Sequence, residues 1–401
     1  METIKNIYKI GPGPSSSHTI APYNAAKDFL KHINYDFDYI VIDLFGSLSL
    51  TGKGHGTDLI LKKAFDSYET KINFHNTFEN IEHPNTFDFS TYKNGKLIER
   101  KRYYSIGGGD FSTTLSKNEA KDVYPFKTFD GLKNYMKVQK IDDIKCVIDN
   151  FEDDDIDEFL KDIFLKMCLE VELNLKKEGF LPGRLHLKRI AKELFDKAQN
   201  IDDEIEKITM LITSFAYSAS EGNASGEIIV TAPTCGACAV LPSILYYFYK
   251  YKNVPVSKII DGLKVAGIIG DIIKNNASIS GAMHGCQAEI GSACSMTSAF
   301  ICYINDLSLY QIEYGAEIAL EHFLGLTCDP VDGYVQIPCI ERNGIAALRA
   351  LTTYLYAKDI SNLRRNVVSL DGVINAMKIT GESLSKEYKE TSIGGLAKIL
   401  K

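Results

Sequence analysis

The periodicity of apolar positions changes about a third of the way along the chain. Residues 23–33 predict a helix, and 39–50, rich in Ile, Val, Leu and Phe, predicts a buried strand. Residues 87–92 and 96–105 flank Asn94-Gly95. That pair predicts a hairpin, because both central residues of a type I′ turn need positive φ. The second strand runs into Gly107-Gly108-Gly109, a loop where backbone can approach another group closely. Beyond an acidic stretch over 151–158 the pattern turns helical. Ile156, Phe159, Leu160, Ile163, Phe164, Met167 and Val171 recur at steps of three and four. Further helices are predicted over 187–199, 205–219, 240–251, 256–273, 291–304 and 346–356, with a short β-like run at 228–230. The fold class is therefore an α+β N-terminal domain followed by a mostly all-α domain. The boundary falls near 140–155, dividing the chain into 1–145 and 146–401. The acidic stretch itself reads as a solvated linker or a helix N-terminus.

Composition narrows the function. The chain has 401 residues, 45% hydrophobic and 24% charged, as expected of a globular protein. A net charge of -7, with lysines interleaved among Asp and Glu, argues against a nucleic-acid partner. The first ten residues lack the apolar run of a secretory signal, and no stretch reaches the roughly 18 apolar residues of a membrane span. The expectation is a cytoplasmic protein without membrane attachment. Its nine cysteines are then thiols or ligands rather than disulfides.

Three of those cysteines stand in constrained surroundings: Cys286 in Gly-Cys-Gln-Ala-Glu-Ile-Gly, Cys328 in Leu-Thr-Cys-Asp-Pro-Val and Cys339 in Ile-Pro-Cys-Ile-Glu-Arg-Asn. Asp329-Pro330 and Asp332-Gly333 favour a turn between the last two, returning both thiols to one place. Three thiolates can hold a [4Fe-4S] cluster and leave one iron open as a Lewis acid. Three buried core cysteines are the competing reading. Cys235 and Cys238 form a C-x-x-C, the spacing of zinc and dithiol sites; the competing reading is a helix start near the active site. Cys146, Cys168, Cys294 and Cys302 read as core.

Two polar loops are candidates for substrate contact. Residues 11–19 combine Ser15, Ser16, Ser17, His18 and Thr19 with glycine and proline, which suits an anion at a helix N-terminus or simply a flexible loop. Residues 51–58 contain Lys53, His55 and Thr57 but lack the spacing of a nucleotide-binding phosphate loop. His18 and His55 are the candidates for acid–base work. His284 and His322 lie near the constrained cysteines in sequence and are candidates for supporting them from behind. The stretch 221–226, with Asn223, is either a substrate contact or an ordinary turn.

In their order along the chain, Gly13-Pro14-Ser15-Ser16-Ser17-His18-Thr19, Thr51-Gly52-Lys53-Gly54-His55-Gly56-Thr57-Asp58, Tyr104-Ser105-Ile106-Gly107-Gly108-Gly109, Asn223-Ala224-Ser225-Gly226, Ala232-Pro233-Thr234, Gly285-Cys286-Gln287-Ala288-Glu289-Ile290-Gly291, Cys328-Asp329-Pro330-Val331, Pro338-Cys339 and Arg342-Asn343 resemble the iron–sulfur-dependent L-serine dehydratase (L-serine ammonia-lyase) family. The resemblance covers nearly the whole chain. It implies a β-type domain resembling the allosteric substrate-binding domain of some phosphoglycerate dehydrogenases, fused to a helical α-type domain carrying the cluster. It implies Cys286, Cys328 and Cys339 as the ligands of a [4Fe-4S] cluster, with no pyridoxal phosphate. It places Ser15, Ser16, Ser17, Thr19, Lys53, Thr57 and Asn223 at the substrate and His18 or His55 as base. A homodimer is also implied. Some family members end in a cysteine that caps the open iron; this chain ends Gly394-Gly395-Leu396-Ala397-Lys398-Ile399-Leu400-Lys401.

The implied reaction converts L-serine to pyruvate and ammonia. Two rivals stand beside it. One is a lyase acting on L-cysteine or another β-substituted amino acid, suggested by His284 and by the extra Cys235 and Cys238. The other is a cluster-bearing sensor of serine or redox state that does not turn over.

Overall fold

The computed structural model describes residues 1–79, 81–115 and 122–399. Its seven described strands are β1 (Ile10–Pro12), β2 (Tyr39–Phe45), β3 (Glu69–His75), β4 (Thr86–Lys93), β5 (Lys96–Gly107), β6 (Asp110–Ser112) and β7 (Ile228–Val230). Five of them form one sheet in the order β3-β2-β4-β5-β6. β2 and β3 run parallel, and the other neighbours are antiparallel. The β4–β5 turn is the predicted hairpin: Asn94 and Gly95 have φ of 50° and 72°, and Lys93 pairs with Lys96. Helix Ala21–His32 lays Ala25, Ala26 and Phe29 on Ile40, Ile42, Phe87 and Phe89 of the sheet. Burying a side chain such as Phe29 contributes about 2–3 kcal/mol.

The strand expected over 39–50 stops at Phe45. Gly46 takes a φ of +55°, its amide donates to Thr77 O and the Ser47 amide to Pro84 O, so the chain leaves the sheet for the short helix Gly46–Leu50. A continuous apolar run does not distinguish a buried strand from a buried helical turn.

The remainder is mostly helical. Helices Ile156–Asn174, Glu204–Ala224, Val240–Tyr251 and Val256–Asn276 agree with the predicted segments within a few residues. Helix Ser292–Ile304 is buried through nearly its whole length; Ser295 Oγ donates to Ala316 O at 2.8 Å and Thr297 Oγ1 to Ala293 O at 2.7 Å. The helix expected over 346–356 begins much earlier, as Cys339–Asp359, which puts Cys339 in its first turn. Helices Leu309–Glu321 and Leu370–Ser383 were not predicted.

The two parts are interlocked. Met1, Ile4, Ile7 and Tyr8 pack in the helical core, and Tyr8 Oη donates to Leu263 O at 2.7 Å. β1 then pairs with β7 before the chain enters the sheet. Residues of 124–148 also pack in the helical core. The acidic stretch is not wholly solvated. Glu152 is buried and accepts from the Ile4 amide at 2.8 Å and from Tyr124 Oη at 2.5 Å, fastening the N-terminal segment. No helix among the described residues is long and apolar enough to cross a membrane.

Candidate active site

Cys286, Cys328 and Cys339 line one cavity together with Ser15, His55, Glu289, Arg342 and Glu390. Cys286 sits on a helical turn, Gln287–Gly291 following it, that leads into the buried helix Ser292–Ile304. Cys328 lies in an extended segment whose amide donates to Tyr388 O at 2.8 Å. Cys339 opens helix Cys339–Asp359 behind Pro338. Arg342, one turn further along that helix, donates to Thr327 O at 2.8 Å and faces Asp329 at 3.7 Å.

The donor set suits a metal centre. All three thiols are free, and Cys286, Glu289 and Cys328 hold their ligand atoms within 4.8 Å of one another. The hydrogen bond from Cys328 pulls the Cys286 thiol down to about 7, against burial and with help from Arg342. The Cys328 thiol is pushed up by that same bond and by burial, and the Cys339 thiol by burial and by Cys286. Three thiolates in this space need a cationic centre between them. Glu289 is also pushed up, by burial and then by Cys286, and its Oε1 accepts from Thr234 Oγ1 at 2.8 Å.

The two candidate histidines come together, with ring centroids 4.4 Å apart; His55 lines the cavity and His18 is wholly buried. Gly54, beside His55, is pressed on the turn between Cys328 and Cys339: a Cβ there would lie 2.4 Å from the Gly333 carbonyl carbon. His55 Nδ1 lies 3.2 Å from Thr51 O, so that nitrogen carries a proton. Thr51 Oγ1 donates to Ser47 O, and Ser47 Oγ donates to Glu390 O. Their hydroxyl protons are committed, so His18 Nε2 donates to both, at 2.9 Å and 3.3 Å, leaving Nδ1 bare. Burial pushes His18 down to about 4, so the ring is neutral near pH 7. Glu390 bridges a nitrogen of each ring, its Oε1 3.5 Å from His18 Nδ1 and 3.4 Å from His55 Nε2. Burial works against its charge, but the two imidazoles and the Ser17 hydroxyl outweigh burial and hold the carboxyl below its ordinary range.

The other candidate residues are spread around this centre. Ser15 Oγ and Ser17 Oγ are 3.1 Å apart, with Ser17 Oγ 2.9 Å from His18 Nδ1. Ser16 Oγ accepts from the Cys235 amide, and Thr19 Oγ1 donates within its own loop to Ser15 O and Pro12 O. Asn223 Nδ2 donates to Pro14 O at 2.9 Å and Cys235 O at 3.0 Å, bridging the loop to the C-x-x-C turn. Thr57 is buried at a helix start with its hydroxyl unpartnered. Lys53 is exposed, its Nζ 5.3 Å above the Phe74 ring, in an adjoining cleft with Lys63 rather than in the cavity.

The remaining candidates take structural places. Cys235 and Cys238 pack with Ile20 and Ile229, and burial pushes both thiols up. They belong to no metal-binding group among the described residues. His322 is exposed at a helix end, its Nδ1 on Ile318 O. His284 packs on Gly381 and does not line the cavity. Glu221 Oε1 accepts from the Ile190 and Ala191 amides, an ordinary helix cap.

Sequence reasoning missed Glu289, Arg342 and Glu390 as members of the site. The first two follow Cys286 and Cys339 by three positions, a spacing that shares one helical face and could have found them. Glu390 carried no such signal.

Known proteins resemble the chain along its length. A family profile described as serine dehydratase alpha chain matches residues 69–397, and one described as serine dehydratase beta chain matches residues 3–65. The L-serine dehydratase of Haemophilus influenzae is 34% identical over 454 residues, covering 99% of this chain and 99% of that protein. L-serine dehydratase 2 of Escherichia coli strain K12 is 35% identical over 451 residues, covering 99% and 98%. The L-serine dehydratase of Helicobacter pylori strain J99 is 37% identical over 453 residues, covering 100% and 99%.

Proposed function

The chain belongs to the serine dehydratase family, and from that premise we propose that it converts L-serine to pyruvate and ammonia with a [4Fe-4S] cluster held by Cys286, Cys328 and Cys339. The observation that carries the reading is the single cavity that brings the three thiols opposite Ser15 and His55. When bound there, the cluster supplies a Lewis-acidic iron for the substrate hydroxyl.

The residues of the chain do the rest. His55 lines the cavity and takes the Cα proton at Nε2; His18, wholly buried, holds the hydroxyl loop and is not the base. Arg342 balances negative charge beside the thiols. Loss of the proton and of hydroxide, which leaves as water, gives 2-aminoacrylate. Its imine tautomer takes up water and releases ammonia and pyruvate. The sheet module resembles an allosteric substrate-binding domain in this reading, and the protein works as a cytoplasmic homodimer.

The test is anaerobic reconstitution followed by iron and sulfide counts and pyruvate release from L-serine, for the native chain and Cys339→Ala. Four irons with pyruvate, both lost in the variant, support the reading. A native chain that takes up no cluster overturns it.

A further inference from the structure

The wall of the cavity that holds Glu390 is rich in hydrogen-bond acceptors. Glu390 brings two carboxylate oxygens, and His18 Nδ1 and His55 Nε2 face its Oε1 at 3.5 Å and 3.4 Å. The hydroxyls of Ser15 and Ser17 lie beside them, Ser17 Oγ at 2.9 Å from His18 Nδ1 and at 3.3 Å and 3.5 Å from Glu390. The arrangement persists because Glu390 is fixed from behind: its amide donates to Cys328 O at 2.8 Å and its carbonyl accepts from Ser47 Oγ at 2.5 Å.

Such a wall is complementary to a group with several N–H donors and a positive charge. Resting on the serine reading above, we propose that Glu390, with His18 Nδ1 beside it, is the subsite for the α-ammonium group of the substrate. An ammonium hydrogen-bonded to Glu390 Oε1 puts the adjoining Cα next to His55 Nε2, because that nitrogen lies 3.4 Å from the same oxygen. The side chain of the substrate then points across the cavity to the thiols. The subsite makes the protein select free amino acids over hydroxy acids of the same length.

The test compares L-serine with 3-hydroxypropionate, which keeps hydroxyl and carboxylate but lacks the ammonium. Binding is followed by anaerobic calorimetric titration alongside steady-state turnover. Glu390→Gln, nearly isosteric, is expected to weaken L-serine about tenfold or more in both Kd and KM while the constant for 3-hydroxypropionate stays within about twofold. Glu390→Asp, which keeps the charge, is expected to recover part of the preference and serves if the glutamine variant does not fold. Equal weakening of both ligands, or a fall in kcat with L-serine binding unmoved, would overturn the proposal; the latter would make Glu390 a positioning residue for His55. Pyruvate formation without dependence of ligand preference on Glu390 sinks the subsite alone. Glu390-dependent serine binding without pyruvate sinks the dehydratase reading alone.

Discussion

The backbone amide of Glu390 donates to the carbonyl of Cys328 at 2.8 Å, so a residue of the histidine wall and a thiol of the opposite wall share one strand-like contact. The contact is extended on both sides: the Cys328 amide donates to Tyr388 O, and Ser392 Oγ donates to Pro330 O. The segment after helix Leu370–Ser383 is therefore a strap that fixes the width of the cavity. Glu390 and Ser392 take positive φ, at 56° and 52°, an unfavourable conformation for such residues that the surrounding contacts hold.

The turn carrying His55 is held to the thiol side by backbone rather than by side chains. Gly54→Ala would put a methyl 2.4 Å from the Gly333 carbonyl carbon, and neither backbone can yield without moving His55 or the turn between Cys328 and Cys339. Overpacking of this kind costs about 1–3 kcal/mol. The expected outcome is a fall in kcat/KM of at least about tenfold with far-UV circular dichroism unchanged. Wild-type kcat/KM in the alanine variant would show that the close approach is dispensable.

Cys235 and Cys238 are structural thiols in this fold. Replacing both with alanine removes two buried sulfurs, at about 1–2 kcal/mol each, without touching the cavity thiols. The double variant is expected to melt lower and to take up the same iron and sulfide as the native chain. A drop in iron would return the C-x-x-C to candidacy as a metal site.

How much of this was legible in the sequence differs by level. Asn94-Gly95 announced its hairpin because turn chemistry is local, and helix Val240–Tyr251 showed itself by an apolar run of helical length. The end of β2 at Gly46 depends on the Thr77 and Pro84 carbonyls, supplied by a distant loop, and no local pattern encodes that. The cysteines and the His18 and His55 loops stood out because glycine, serine and proline frame them. Glu390 did not, because what makes it part of the site is the strap's pairing with Cys328, a contact 62 residues away in sequence. Lys53 shows the opposite error: it shares a loop with His55, but its side chain leaves the loop on the other side.

Asp271 makes a testable contribution to stability away from the cavity. It is buried on helix Val256–Asn276 with Oδ2 unpartnered, and burial pushes its carboxyl up to about 8, with Lys274 and the N-terminal ammonium opposing and Glu2 and Glu152 adding to the rise. A folded-state value above the unfolded one means that folding is favoured at low pH and loses stability as pH rises from about 4 to about 8. Asp271→Asn lacks this penalty. Between pH 5 and pH 8 the variant is expected to gain on the order of 3 kcal/mol relative to wild type in chemical denaturation. Parallel pH profiles for the two proteins would show that Asp271 titrates normally.

His18 acts with the opposite sign. Its folded-state value of about 4 lies below the ordinary 6.5, and burial is the main cause, opposed by Glu390 and reinforced by His55. A depressed value means that the stability is present above about pH 6.5 and is lost as pH falls towards 4, when the unfolded chain binds a proton that the buried ring resists. His18→Gln has no such proton to bind. From pH 7 to pH 5 the wild-type chain, prepared without cluster, is expected to lose about 2 kcal/mol more than the variant in chemical denaturation. Glutamine keeps a donor for Thr51 and an acceptor for Ser17, so the variant should fold at neutral pH. An equal loss in both proteins would mean that His18 takes up its proton in the folded cavity as readily as in water, and the neutral ring assigned to that wall would be wrong.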